Sequence, residues 1–386
     1  MKSVFDKKNN CCGCTACKYI CPADAIEMMP DREGFLYPEI NQELCIDCGL
    51  CRKVCAFQNG YDRSDNIQFP GVYAVKHKNE DVRISSTSGG AFTAISDHIL
   101  ENGGVVFGVA FDDNMNVMHM AAKSKSERNK FKGSKYVQSN LNDVYKKTAQ
   151  LITEGVQVLF TGTPCQTAGL KHFLAKMDTK NLVLCDIVCH GVPSPLMWRE
   201  HIKHIQKKRN SKVASYYCRH KVNGWHSHTE MVVFENGKKE YKSDLSQIYK
   251  RLFHSKNILR PACYNCRYTN LERPSDITIA DFWGIEKIMP EIDDNKGVSL
   301  VLVNTEKGKQ IFSSLNTIYK WESNVDDCLQ PNLIAPTKKP FSREQFWQDY
   351  YQNGFEFVAK KYAGYSLIKT IKSKLKIVLK KAGLLS

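Results

Sequence analysis

From Val72 onward, apolar runs of strand length alternate with amphipathic stretches of helix length. Val105 to Phe111, Val156 to Phe160 and Leu182 to Val188 are the clearest strand candidates, and the residues between them repeat their apolar positions at helical spacing. That alternation predicts an α/β main domain with a mixed, largely parallel sheet. Between Val213 and Tyr241 the texture changes. Ser215-Tyr216-Tyr217-Cys218 and Met231-Val232-Val233-Phe234 are β-rich and Asn236-Gly237 is a turn dipeptide, so a hairpin inserted in the main sheet or leaning on it is expected. From Arg343 to the end the pattern is helical.

The first sixty residues do not share this rhythm. They hold nine cysteines and end in the polar stretch Asn59 to Asn66, which reads as a linker. Three parts are expected: residues 1–60, 71–340 and a basic helical segment 341–386. A chain of 386 residues is long enough for a small module and one substantial domain, because single cores stop growing near about 250 to 300 residues.

Net charge changes the picture only at one end. The formal charge is +15, but after Glu356 no acidic residue follows while Lys360, Lys361, Lys369, Lys372, Lys374, Lys376, Lys380 and Lys381 do. From Leu367 to Leu379 apolar residues recur at helical spacing with lysines between them. This fits a basic amphipathic helix lying on an anionic membrane surface, and equally a helix docked on its own domain. Nucleic-acid binding would want aromatic residues among the lysines, where the tail offers Leu, Ile and Val, so no nucleic-acid partner is expected. The start lacks the apolar core of a signal peptide, and no stretch reaches the roughly 18 apolar residues of a membrane span. The expected location is the cytoplasm, with peripheral contact at the inner membrane surface through the tail. Sixteen cysteines in a reducing compartment point to metal rather than disulfides.

Their spacing is specific. Cys11-x2-Cys14-x2-Cys17-x3-Cys21-Pro22 and Cys45-x2-Cys48-x2-Cys51-x3-Cys55 both have the bacterial ferredoxin pattern, in which the fourth cysteine of each run crosses to the other cluster. Cys11, Cys14, Cys17 and Cys55 should hold one 4Fe-4S cluster, and Cys45, Cys48, Cys51 and Cys21 the other. Two zinc sites would also use C-x2-C pairs, but eight thiols in this duplicated, crossed order argue for clusters in a small α+β ferredoxin-like domain. Ala56 stands where proline often follows the last ligand. Cys12 has no place in the pattern and is expected either as a packed thiol or as one that sits beside a ligand.

Four later segments carry further chemistry: Ser86-Thr87-Ser88-Gly89-Gly90-Ala91, Thr161-Gly162-Thr163-Pro164-Cys165-Gln166, Asp186-Ile187-Val188-Cys189-His190-Gly191, and Cys263 to Gly284. Together with Gly133-Ser134-Lys135-Tyr136 they resemble the coenzyme F420 hydrogenase/dehydrogenase beta-subunit family, in versions with an N-terminal two-cluster ferredoxin domain. The resemblance runs from Cys11 to about Gly284, with Ala280 standing before Asp281-Phe282-Trp283-Gly284 where relatives often have glycine. It implies an FAD-binding domain that moves electrons between iron-sulfur clusters and a two-electron substrate. In some relatives that substrate is F420, whereas others reduce chlorophyll intermediates. It also implies that Lys135, Tyr136 and Thr163 lie at the flavin.

The residues themselves support parts of this. Ser88-Gly89-Gly90 precedes the helical run Ala91 to Leu100, and a helix start suits either an ordinary N-cap or a phosphate; the resemblance favours the FAD pyrophosphate. No G-x-G-x-x-G fingerprint or P-loop occurs. Cys165 and Cys189 follow neighbouring strand candidates, at the edge where open α/β sheets bind ligands. With Cys263 and Cys266 they are expected to converge on a third 4Fe-4S cluster. Alternatives are that some of the four are buried thiols, or that Cys165 is a nucleophile with His190 as base. Cys185, Cys218 and Cys328 are expected as buried thiols. His190 and Asp281 are the candidate catalytic residues, near the flavin and at the pocket rim with Trp283, although a lone histidine is more often structural and an Asp after a strand more often caps a turn. His226 and His228 alternate along a candidate strand with no partner nearby and read as surface. The expectation is an iron-sulfur flavoprotein oxidoreductase exchanging electrons with ferredoxin or another redox protein and acting on a small-molecule substrate. The alternative is an electron-relay subunit without a substrate of its own.

Overall fold

The computed structural model describes residues 3–365, so the lysine-rich helix expected from Leu367 to Leu379 lies outside the described residues. In the N-terminal region, short helical turns bearing cysteines flank an antiparallel hairpin of β1 (Ile26–Pro30) and β2 (Leu36–Ile40), with Ile26 opposite Ile40.

The chain then forms β3 (Asn66–His77), helix α1 (Ala91–Glu101), β4 (Val105–Phe111) and β5 (Val117–Ala122). Next come α2 (Val144–Thr153), β6 (Val158–Gly162), α3 (Pro164–Phe173), β7 (Leu182–Ile187) and α4 (Pro195–Arg209). Val156 and Gln157, expected in the strand that becomes β6, belong to the turn before it: Val156 N–H closes on Leu151 O, near the end of the preceding helix.

The β-rich stretch yields β8 (Val213–His220), β9 (Thr229–Phe234) and β10 (Lys239–Tyr241), followed by α5 (Ser246–His254). These strands form a sheet of their own, ordered β10-β9-β8. Its inner face, with Val213, Tyr216, Val232 and Phe234, packs on Trp198, Ile205 and Leu252 of the neighbouring helices. That burial holds it as a separate layer.

The main sheet is completed by β11 (Ile277–Asp281), β12 (Ser299–Thr305), α6 (Glu306–Ser314) and β13 (Ile318–Ser323), and α7 (Arg343–Ala363), which bends at Gly354, closes the described chain. The strand order is β13-β3-β12-β11-β7-β6-β4-β5. Neighbours β11, β7, β6 and β4 are parallel, and β12, β13 and β5 pair antiparallel at the flanks. Because β3 is antiparallel to β12, it shares the direction of the central four, so five of the eight strands point one way. Every residue of β12 is buried, as expected of a strand covered on both faces.

The carboxyl ends of β3, β4, β6, β7 and β11 therefore share one edge, with the start of β12. Beneath it an apolar cluster runs without a break from Val4, Cys14, Val54 and Phe57 into Tyr145, Phe160, Leu184 and Tyr268. The N-terminal region thus packs into the core of the large domain. Among the described residues no helix is long and apolar enough to cross a membrane.

Candidate functional site

The two cysteine runs gather into two concave sites. One is lined by Cys11, Cys14, Cys17 and Cys55, with Cys12 beside them; the other by Cys21, Cys45, Cys48 and Cys51. These are the crossed sets that the spacing predicts. The first lies inward, its Cys14 and Cys17 buried; in the second Cys48 is exposed. A tetrahedral zinc set, with Zn–S of about 2.3 Å, draws its sulfurs to about 3.8 Å from one another. Among the described residues, the group of three or more His, Cys, Asp or Glu donors within 4.8 Å of one another is His226, Glu286 and Asp293, with no cysteine in it. The thiol sets are thus spread more widely than zinc requires, in keeping with a larger inorganic core.

Cys165, Cys189, Cys263 and Cys266 also come together. Cys165 opens α3, Cys189 follows β7, and the Cys263 and Cys266 pair sits on the turn Pro261–Asn265 and just after it. Val192 N–H donates to Cys263 Sγ at 3.4 Å, tying the Cys189 loop to that turn. Burial pushes Cys263 and Cys266 up to about 12. Burial raises Cys189 too, and the nearby Cys263, Cys165 and Cys266 raise it further.

A joint connects this set to the inner ferredoxin-like one. Cys12 is 6% exposed, and its thiol sits beside those of both Cys14 and Cys165. The neighbouring Cys12 thiol lowers Cys165 to about 7 against the effect of burial, and Thr163 Oγ1, 3.2 Å from Cys165 Sγ, helps. Arg260 fills the same joint. Its Nε donates to Cys11 O at 2.8 Å, Nη1 to Gln138 Oε1 at 2.9 Å and Nη2 to Leu36 O at 2.9 Å, with Cys11 Sγ at 3.6 Å. The guanidinium also stacks 4.2 Å over Tyr37. Gly13 permits this approach: its φ is +74° and a Cβ there would stand 2.8 Å from Arg260 Nη1. Arg260 is fully buried, and none of its bonds among the described residues goes to a carboxylate. A buried cation without an anion is costly. Cys11 and Cys263 are among its neighbours, and their sulfurs would be the anions in reach once they hold a cluster as thiolates.

On the far side of Cys189 a cavity of about 500 Å³ opens along the strand edge. Gly90, Ala91 and Phe92 at the start of α1 line it, and no side chain caps that helix, so the first-turn N–H groups are open to an anion. Of the other predicted residues Ser88, Lys135, Tyr136, Thr163, His190 and Asp281 line the cavity; Gly89 does not. A Cβ on Gly89 would lie 2.2 Å from Val75 O and 2.6 Å from Ser299 N, so this glycine lets the turn press against β3 and β12. Ser88 Oγ donates to Val298 O at 2.7 Å, which makes it part of that turn as well.

Lys135 Nζ donates to Lys130 O and Lys132 O, and burial drives it down to about 7. The Tyr136 ring stacks on Phe253 at 5.0 Å. Thr163 caps α3, its N–H donating to Gln166 Oε1 at 2.9 Å. His190 Nδ1 is 3.2 Å from Asn332 Oδ1, and since Asn332 Nδ2 donates to Thr337 Oγ1, that oxygen accepts from an Nδ1–H. Nε2 is left as a bare acceptor, buried and without a partner among the described residues. Burial lowers the His190 pKa, favouring the neutral ring. Asp281 is fully engaged: Oδ2 pairs with Arg219 and Oδ1 accepts from Trp225 Nε1 at 2.8 Å.

Two expectations change. His226 and His228 do not alternate along a strand; His226 lies in a 3-10 turn and His228, φ +46°, ends it. His226 Nε2 is 2.8 Å from Asp293 Oδ2, a partner 67 residues away in sequence that local reading has no means to find. His228, read as surface, lines the cavity and stacks on Trp283 at 5.0 Å. Cys185 and Cys328 are buried thiols as expected; Cys218 is buried too and touches the cavity. Arg260 and Arg219 are the functional candidates that pattern reading misses, since each acts across segments remote in sequence, and what it leaves out of Cys12 is the contact with Cys165.

Residues 10–59 match the family model described as 4Fe-4S dicluster domain. Residues 72–146 and 155–324 match the models for the N-terminus and the C terminus of the coenzyme F420 hydrogenase/dehydrogenase beta subunit. An uncharacterized ferredoxin of Methanocaldococcus jannaschii is 41% identical over 46 residues, 12% of this chain and 25% of the relative, so the chain spans a quarter of that protein's length. A chain in the structure of the F420-reducing nickel-iron hydrogenase complex from Methanosarcina barkeri is 15% identical, with a TM-score of 0.47, covering 77% of this chain and 91% of that one.

Proposed function

The chain belongs to the coenzyme F420 hydrogenase/dehydrogenase beta-subunit family, and from that premise we propose an iron-sulfur flavoprotein oxidoreductase that exchanges single electrons through its cysteine sets and acts on a small molecule in the large cavity. Cys189 carries this reading: it lies in the cavity wall and among Cys165, Cys263 and Cys266 at once. Such a place suits the ligand of a third 4Fe-4S cluster beside a flavin. FAD supplies the conversion between one-electron and two-electron steps that clusters lack.

The residues present fit FAD. The open first turn of α1 offers N–H groups to its pyrophosphate, and Lys132 and Lys135 add positive charge at the same wall. The Tyr136 and Phe253 stack offers a flat apolar face to a ring system. His190 accepts a hydrogen bond or a proton at Nε2. Asp281 holds Arg219, whose guanidinium lies 4.8 Å over Trp283, and so shapes the rim by fixing its neighbours. F420 is the first substrate to assay, and ferredoxin or another redox protein is the partner class.

The test is an anaerobic absorption spectrum of the reconstituted chain with iron and flavin counted. About twelve irons and one FAD are expected. Full iron with no flavin, even after incubation with excess FAD, would overturn the enzyme and leave an electron-relay subunit.

A further inference from the structure

The cysteine sets stand in series. The set of Cys165 and Cys189 is walled in by the sheet edge, and the set of Cys11, Cys14, Cys17 and Cys55 packs inward against α3, where a Cβ on Gly169 would stand 2.8 Å from Cys14 Sγ. The set of Cys21, Cys45, Cys48 and Cys51 alone among the three reaches solvent through an exposed ligand, Cys48. Around it the loop presents side chains that a solvated surface does not need: Ile46 is 66% exposed, Leu44 52% and Leu50 37%. An apolar centre of this kind marks an interaction surface.

Charge says what fits there. Residues 21–50 contain seven acidic side chains against Arg32 as the one basic residue, a formal −6 in a chain of formal charge +15. Asp31 and Glu33 turn to Lys8 and Arg343, and Arg32 lies over Tyr351. Asp24 stands 4.0 Å from Lys146, and the remaining outward acids are Glu27, Glu39, Glu43 and Asp47, all exposed. Glu27 and Glu39 stand directly opposite each other in the β1–β2 register, a like-charge pair that weakens the isolated hairpin. An approaching cationic surface relieves that repulsion.

We propose that the Cys45–Cys51 loop and the adjoining face of the β1–β2 hairpin form the docking surface for a one-electron carrier protein whose own cofactor is ringed by basic residues. The carrier's rim meets Glu27, Glu39 and Glu43, its apolar centre covers Ile46 and Leu44, and one electron passes between the carrier and the outer cysteine set. A free acidic carrier such as a two-cluster ferredoxin is disfavoured by the same charges. The proposal rests on the cluster assignment above.

The probe is cytochrome c, a cationic haem protein, with an acidic two-cluster ferredoxin as counter-probe and the anaerobically reconstituted full chain as partner. Binding is read by calorimetry at 20 and 300 mM salt, and electron transfer from the dithionite-reduced, desalted chain by stopped-flow absorbance. Glu27→Lys/Glu39→Lys/Glu43→Lys should weaken cytochrome c binding about tenfold at low salt, flatten its salt dependence and raise the rate to ferredoxin. Ile46→Ser should weaken binding without changing the salt slope. Iron content and direct bleaching by dithionite should match the parent chain in both variants. Cytochrome c binding and rate that ignore charge reversal while iron stays full, or a parent chain that prefers the acidic ferredoxin, would overturn the docking surface. A parent chain without iron would instead overturn the cluster assignment.

Discussion

Replacing Arg260 with glutamine removes a buried positive charge while leaving an amide able to donate to Cys11 O. Arg260 Nη2 is 3.6 Å from Cys11 Sγ, and a cluster held by that sulfur would centre its charge on the order of 6 Å from the guanidinium. At an effective dielectric of about 20 that separation gives about 3 kcal/mol per unit charge. For a one-electron couple this is about 120 mV, with about 59 mV per tenfold in the equilibrium constant. The reduced centre carries one more negative charge, so a nearby cation favours it and losing the cation lowers the reduction potential. Arg260→Gln should therefore lower the potential of the centre held by Cys11, Cys14, Cys17 and Cys55 by on the order of 100 mV. The centre held by Cys21, Cys45, Cys48 and Cys51, which Arg260 does not touch, should move by less than about 30 mV. Arg260→Lys keeps the charge without the planar fork and should fall between. An anaerobic redox titration followed by EPR and visible absorbance, with iron counted, makes the comparison. An inner potential unchanged in Arg260→Gln at full iron would refute the argument that the guanidinium balances that centre's charge.

Changing Cys263 and Cys266 together to Ser should lower the iron of reconstituted protein from about twelve to about eight while the N-terminal sets stay filled; equal iron in both proteins would exclude a third cluster. Lys135, driven to about 7 by burial, is charged below that pH and neutral above it, so FAD affinity should weaken as pH rises from 6 to 8. Lys135→Gln should flatten that profile in a fluorescence titration of the flavin. Gly89→Ala should lower thermal stability by more than about 2 kcal/mol, because its Cβ would meet Val75 O at 2.2 Å. Flavin would be lost there through the fold, and a melting curve like that of the parent chain would count against the clash.

Much of this architecture is legible in the sequence because the relevant signals are local. The crossed cysteine sets follow from fixed spacings, and β4 falls where its apolar run lies, from Val105 to Phe111. The strand edge carrying Cys165 and Cys189 follows from which residues end neighbouring strands. What stays hidden is whatever depends on segments meeting. Ser88-Gly89-Gly90 reads as a phosphate loop, yet Ser88 bonds Val298 and Gly89 is pressed against Val75 and Ser299, and Val298 and Ser299 each lie 210 residues further along the chain. His226 shows no partner until residue 293 folds back beside it. Cys12 breaks a spacing rule and so looks idle, though that position sets it between Cys14 and Cys165.

The joint at Cys12 and Arg260 also says why the two regions are built as one body. The apolar cluster from Val4 to Tyr268 crosses between them, and Arg260, from the large domain, bonds Cys11 O and Leu36 O of the N-terminal region. A flexible tether would let the cysteine sets drift apart, and electron exchange between them depends on a short, fixed separation. Rigid docking removes that freedom but buries a guanidinium that bonds no carboxylate among the described residues. That arrangement is favourable only when anionic sulfur stands opposite, so filling the cysteine sets and docking the N-terminal region stabilise each other. With the cysteine sets filled as proposed above, the residue that balances the charge of the inner set would also tie that set to the large domain, so that assembly of the metal centres and formation of the electron path would be a single structural event.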